Sequence, residues 1–424
     1  LLEMENVTGT NTPASTGERR LVVLVVTGNY LPGYKSGGPL RAIAGLTEAL
    51  GDEFDFKIIT SDRDLGDKKP YEGIRTEQWM QVGKADVLYV DGRNPFTVIR
   101  HILKTPHDVL YLKSFFCRPW SMWPVWMRAI GILRTRNIVV APIGQFAPGA
   151  LALKRIRKRV YITIAKRLWV YKKALWHATS VYEAEDVKRE FGTDVQTVTA
   201  RSLASRSEAA LREQAGLRMI VASELHPVGA ATSLERHSRS KSVGKLRLVY
   251  LARVARNKNL IGALNFLKGL QGNVTFDIYG PLEDKQYWSE CQRVIAELPK
   301  NIQARYRGSV PHEDVSSILA DYHVFFLPSM GESFSYSILE ALLAGCPILI
   351  SDKTPWRDLE SVGVGWDLPL DSPEQFRGAL QRCIDMRPEE YVEYSARAQE
   401  YGWLHSQNPE IVSQNRRLFQ PERA

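Results

Sequence analysis

Short runs of β-branched and aliphatic residues recur along the chain, and each is followed by a stretch in which apolar positions return with helical spacing. The first, residues 21–27 (LVVLVVT), ends in GNYLPGYKSGGP and gives way to LRAIAGLTEAL, a pattern of strand, glycine loop and helix. Further runs stand at 56–60 (FKIIT), 85–90 (ADVLYV), 109–112 (VLYL) and 138–141 (IVVA), separated by segments of helix length. Strands that alternate with helices predict a parallel sheet covered on both faces.

The second half repeats the scheme at 246–251 (LRLVYL), 275–279 (TFDIY), 304–308 (ARYRG), 324–328 (VFFLP) and 347–351 (PILIS). The predicted architecture is therefore α/β, with two doubly wound Rossmann-like domains. Residues 1–19 read as a disordered tail, 20–199 as the first domain, 245–405 as the second, and 406–424 as a C-terminal helix returning to the first. Between the domains, 200–244 is rich in Ser, Ala and Arg with weak periodicity, which reads as a linker enlarged by an insertion. Ligands of such sheets bind beyond the carboxyl ends of the strands, so the chemistry is expected in loops on both sides of an interdomain cleft.

Composition narrows the class. Hydrophobic residues make up 44% and charged residues 24% of the 424, and no apolar run reaches the roughly 20 residues of a membrane-spanning helix. The first twenty residues have no apolar centre and fail as a secretory signal, so the expected location is the cytoplasm, with the inner face of the membrane open. Cys117, Cys291, Cys346 and Cys383 lie far apart without a CxxC pair and read as buried thiols. The net charge of +9 calls for an anionic partner, and much of it lies in 154–173 (KRIRKRVYITIAKRLWVYKK). That stretch is either a membrane-surface or anionic-substrate face or a merely solvated helix face. No nucleic-acid recognition module accompanies the charge, and no nucleic-acid partner is expected.

The densest chemical signal is 331–352 (GESFSYSILEALLAGCPILISD). Glu332 falls in the loop after the FFLP strand and Glu340 on a helix beginning near Ser335, whose first turn includes Tyr336 and Ser337. A helix start offers unpaired N–H groups and a positive dipole end to a phosphate, and the two carboxylates can hold sugar hydroxyls on either side. This pattern resembles that of retaining glycosyltransferases of the GT-B fold, family 4, whose donor motif is two glutamates separated by seven residues. The resemblance runs from about residue 22 to 419.

Four further segments share in it. YLPGYKSGGPLRAIAGL resembles the family's first glycine loop, where Gly37 and Gly38 let the backbone approach the donor diphosphate or transfer centre. LARVARNKNLIGAL resembles its Arg-x-x-x-x-Lys element, which implies that Arg253 and Lys258 stabilise charge on the leaving diphosphate. IYGPLEDKQY resembles the family's turn beside the nucleotide base, which implies that role for Gly280 and Pro281, and RYRGSVPHEDV resembles its base-contacting segment, which implies that the backbone of Val310 and Pro311 meets the base edge. The resemblance implies a nucleotide-sugar co-substrate, UDP- or GDP-linked, with no separate cofactor and no metal, transfer with retained configuration, and a saccharide or lipid-linked saccharide acceptor in surface polysaccharide or glycoconjugate biosynthesis. The alternative is a catalytically weak GT-B protein that binds a sugar nucleotide or polymer.

Some positions depart from the pattern. Ser335 stands where many relatives carry glycine, Lys113 and Ser114 where a histidine or asparagine is frequent, and Ile143 and Gln145 where an arginine and a glutamate are common. His177 reads equally as a core or hinge histidine and as a site residue. The aromatic stretch 115–127 (FFCRPWSMWPVWM) suits either an amphipathic acceptor or a buried helix.

Overall fold

The computed structural model describes residues 19–420 apart from Arg136, Leu153, 193–195, 199–217 and 226–239. The expected N-terminal tail and most of the expected insertion lie outside the described residues. Nine strands, β1 (Val22–Val26), β2 (Asp55–Ser61), β3 (Trp79–Val82), β4 (Ala85–Val90), β5 (Val109–Leu112), β6 (Asn137–Val140), β7 (Leu175–Ala178), β8 (Gln196–Val198) and β9 (Arg218–Val221), form one sheet. Their order is β3-β4-β2-β1-β5-β6-β7-β9-β8. Among the described residues of this sheet only the β3–β4 pair is antiparallel. A second sheet is parallel throughout: β10 (Lys245–Leu251), β11 (Asn273–Tyr279), β12 (Ile302–Gly308), β13 (Val324–Leu327), β14 (Ile348–Ser351) and β15 (Gly365–Leu368), ordered β12-β11-β10-β13-β14-β15.

The near-continuous apolar character of β1 follows from cover on both faces. Leu24 and Val26 point into a cluster with Leu88, Leu110 and Trp176, whereas Val23 and Val25 point into another with Phe56, Tyr111 and Phe419. The second sheet has its own core, in which Leu248, Phe276, Phe326 and Ile350 are buried. The aromatic stretch after β5 is mostly core: Phe115 is fully buried, stacks on Tyr171 and Trp176, and meets Phe146 edge-on, and Trp120 is buried nearby.

One boundary is corrected. The segment 200–244, read from sequence as a linker, contains β9, which pairs with β7 and β8 inside the first sheet. Ala222 and Leu225 continue from it into the first domain's core. The run RMIV is only four residues long and is embedded in Ser-, Ala- and Arg-rich sequence, which hid its period.

After the second sheet the helix Pro388–Ser406 packs on the helix Tyr336–Leu343, with Gly402 so close to Leu342 and Leu343 that a Cβ would collide with their backbone. The chain then crosses back. The helix Pro409–Arg417 lies on the first domain, where Asn415 donates to the Ser223 carbonyl (2.8 Å) and Arg416 pairs with Glu53. Phe419 ends this segment with its ring against Phe54, Phe56 and Tyr111. Phe419→Ala is expected to cost about 3–5 kcal/mol, measured as a lowered urea midpoint of the first domain's transition; an unchanged midpoint would show that the C-terminal segment contributes nothing to that core.

Candidate functional site

Chain order reverses beside β1 in the first sheet and beside β10 in the second, and the carboxyl-end loops at these two points face one cleft of about 560 Å³. Gly37 and Gly38 enter it from the loop after β1. Arg253 and Lys258 follow β10, Gly280 and Pro281 follow β11, and Val310 follows β12. Glu332, Ser335, Tyr336, Ser337 and Glu340 complete the opposite wall after β13. These twelve residues, all singled out in the sequence, thus line a single cavity, whereas Pro311 beside Val310 is not part of its lining.

Backbone geometry explains the residue types. Gly280 has φ 135°, and a Cβ there would sit 2.0 Å from the Ala252 carbonyl oxygen, so no side chain fits. Gly37 caps the helix Gly38–Leu50 with φ 68° and open space around it, and the face of Gly38 is covered by the Tyr336 ring across the cleft. Ser335 precedes the helix Tyr336–Leu343 at φ 71°, the left-handed side that favours glycine. Its hydroxyl turns to Ser337 Oγ (3.3 Å), so the first N–H groups of that helix open onto the cleft without a side-chain cap.

The charges form pairs. Lys258 Nζ donates to both oxygens of Glu332 (2.6 and 2.7 Å), with both side chains largely buried. Arg253 pairs with Glu283, and His312 Nδ1 lies 3.2 Å from Glu340 Oε1. Arg41 also lines the cleft and has no ion pair among the described residues; burial lowers its pKa, and Glu340 and Tyr336 partly restore it. Sequence reasoning missed Glu283, His312 and Arg41. The signal for Arg41 was its place one helical turn after the glycine pair; the other two had none beyond lying in the loops already singled out.

Residues 233–402 match the family described as Glycosyl transferases group 1. The chain carries a glycosyl transferases group 1 domain. The chain is 30% identical to the UDP-N-acetylglucosamine–peptide N-acetylglucosaminyltransferase GtfA subunit of Streptococcus agalactiae, over 37% of this chain and 31% of that protein. It is 28% identical to 2-deoxystreptamine N-acetyl-D-glucosaminyltransferase of Niallia circulans, over 41% of this chain and 43% of that one. The chain thus matches less than half the length of either relative. The crystal structure of Anabaena HepE in complex with UDP-glucose superposes with a TM-score of 0.62 at 16% identity, covering 94% of this chain and 98% of that one. The fold is GT-B.

Opposite the glycosyl transferases group 1 domain, the first domain presents a buried polar chain. Lys113 Nζ pairs with Glu224 (2.9 Å), both nearly inaccessible, and also reaches Tyr111 Oη (3.4 Å). Burial opposes the lysine's charge, yet Glu224 and Tyr111 outweigh it and its pKa is raised. Tyr336 Oη donates to the Leu225 carbonyl (2.8 Å), and Thr179 Oγ1 donates to that of Ser333 (3.1 Å), so the two domains meet at the cleft floor. Glu224 lay inside the expected linker and was also missed.

Gln145 accepts from the Phe115 and Phe116 N–H groups (2.9 and 3.0 Å), a task that needs an oxygen but no charge. Ile143 sits at φ 53°, an uncommon conformation for a β-branched residue, and lines the cleft. His177 belongs to the core: Nε2–H donates to the Ala222 carbonyl (2.9 Å), which leaves Nδ1 to accept from Tyr111 Oη (2.7 Å). Burial first, and Lys113 second, lower its pKa from 6.5 to about 3.

A neutral buried histidine makes the fold acid-sensitive. The unfolded chain takes up this proton first, so the stabilisation is complete above pH 6.5 and is lost as pH falls towards 3, at up to about 1.4 kcal/mol per pH unit. His177→Gln should flatten the fall of the denaturation midpoint across that window, leaving a shallower slope from half-buried His107 and His405, whose pKa values burial lowers, the second to about 4. An identical slope in the variant would refute the assignment.

Proposed function

We propose that the chain transfers a sugar from a nucleotide-sugar to a saccharide acceptor with retention at the anomeric carbon. The observation that carries this reading is the convergence of Arg253, Lys258 and the open amide end of the helix Tyr336–Leu343 on one cleft between two α/β domains. Two fixed cations and a helix N-terminus are a suitable seat for a diphosphate. The match to glycosyl transferases group 1 and the fold shared with a UDP-glucose complex favour a UDP-sugar as donor, with a GDP-sugar second.

In the proposed mechanism the anomeric carbon–phosphate oxygen bond breaks as the acceptor oxygen approaches on the same face. The acceptor proton passes to the departing diphosphate, and Arg253 and Lys258 stabilise the charge developing there. Glu332 orients Lys258, and Glu340 holds sugar hydroxyls. Gly280, Pro281 and the backbone at Val310 border the nucleotide base, and Gly37 and Gly38 leave room at the transfer centre. The roles follow the family pattern; the shared cleft supports them. The acceptor in this reading is a saccharide, free or lipid-linked, used in surface polysaccharide or glycoconjugate assembly at the inner face of the cytoplasmic membrane.

UDP-sugars are expected to raise the melting temperature because they bind only the native state, and slow release of UDP should accompany binding. Arg253→Ala and Lys258→Ala should each lower kcat for this release by about 10²-fold, whereas Glu340→Gln should chiefly raise KM. Full activity in all three variants would sink the reading, and binding of UDP-sugars with no turnover by the unaltered chain would leave a binding protein in its place.

A further inference from the structure

The helix Arg155–Arg167 buries only Ile162 and Ala165. Its other aliphatic side chains, Ile156, Val160 and Ile164, recur every four residues along one exposed stripe, Ile156 at 79% exposure. The stripe continues through exposed Leu168 and Trp169. Trp169 is 68% exposed and sits at φ 51°, so the backbone adopts an unfavourable conformation with a large apolar ring in water. Exposed Ile130 and Ile132 follow the helix Trp123–Ala129, which Arg128 joins to this region by donating to the Lys172 carbonyl (3.2 Å).

Charge is concentrated in the same place. Residues 154–173 hold nine Lys and Arg and no Asp or Glu; outside them 47 Lys and Arg balance 47 Asp and Glu, so this one segment carries the whole net charge of +9. Lys158, Arg159 and Lys166 are engaged by the Ala150 carbonyl, Glu190 and the Glu190 carbonyl. Arg155, Arg157, Arg167, Lys172 and Lys173 are exposed and make no ion pair with any described residue. Ala150, held by Lys158 from the inner side of the helix, lines the cleft, so the helix lies beside the cleft on the first-domain side with its stripe turned outward.

The geometry points to a docking surface for an anionic lipid bilayer: the aliphatic stripe and Trp169 enter the interface, and the cations beside them lie among acidic headgroups. A contiguous apolar stripe flanked by unpaired cations is what such a surface requires. A second copy of the chain would bring the same nine cations against its partner, and a nucleic acid would leave the aliphatic stripe without a role. The docking stands on this surface alone; only its bearing on how a lipid-linked acceptor reaches the cleft rests on the transferase reading.

The test is co-sedimentation of the full chain with phosphatidylcholine vesicles and with vesicles that also contain phosphatidylglycerol. Binding should be about tenfold or more stronger to the acidic vesicles, and it should weaken but persist as salt is raised. Ile156→Ser/Ile164→Ser and Arg155→Ser/Arg157→Ser should each reduce binding about tenfold while thermal unfolding stays unchanged. Equal or absent binding to the two vesicle types overturns the proposal. So does a concentration-dependent dimer that the Ile156→Ser/Ile164→Ser variant abolishes, or duplex DNA binding stronger than vesicle binding. UDP-sugar hydrolysis measured without vesicles separates the two readings: both surface variants should retain it, and its absence from the unaltered chain would count against transfer and leave the docking result standing.

Discussion

Parallel strands joined through helices must be covered on both faces, and this leaves the loops at their carboxyl ends as the place where polar groups gather without breaking a core. Both sheets of this chain meet that constraint, and their carboxyl edges face each other. Gly37 on one side and Arg253, Lys258 and Ser335 on the other therefore border the same space although up to about three hundred residues separate them. The buried polar chain from His177 through Lys113 to Glu224 ends at the same edge, where the Leu225 carbonyl receives the Tyr336 hydroxyl.

Within the cleft, three cations are paired before any ligand enters. Lys258 is held by Glu332, Arg253 by Glu283 and Lys113 by Glu224. The side chains of the first and third pairs are already withdrawn from water, so a bound anion would meet cations whose positions are set. On the proposed reading, a diphosphate would share or exchange the carboxylate partners of two of these cations and would find Arg41 without one. The pairs thus fix direction as well as charge.

Much of this was legible in the sequence, for identifiable reasons. Runs such as LVVLVVT and VLYL are apolar on consecutive positions because both faces of their strands are buried, and the strand, glycine and helix succession around Gly37 and Ser335 is local in sequence. Contacts between distant segments were not legible. Glu224 pairs with Lys113 across 111 residues from inside an apparent linker, and the edge strand β3 alternates too briefly to register. In the helix Arg155–Arg167 apolar residues lie on both sides, so sequence alone does not tell the buried Ile162 from the exposed Ile156, Val160 and Ile164. Ser335 stood out in the sequence as a departure from the family pattern, and its positive φ is a backbone conformation that glycine adopts without strain.

The return of the chain after Ser406 to the first domain has a mechanical consequence. The first domain takes in chain from both sides of the second: Leu225 shares one core with Ile411, Leu418 and Phe419. A load that draws the second domain away therefore pulls on the helix Pro409–Arg417 and on the seat of Phe419 among Phe54, Phe56 and Tyr111. The Tyr336 contacts with Gly38 and Leu225 resist the same separation from the cleft side.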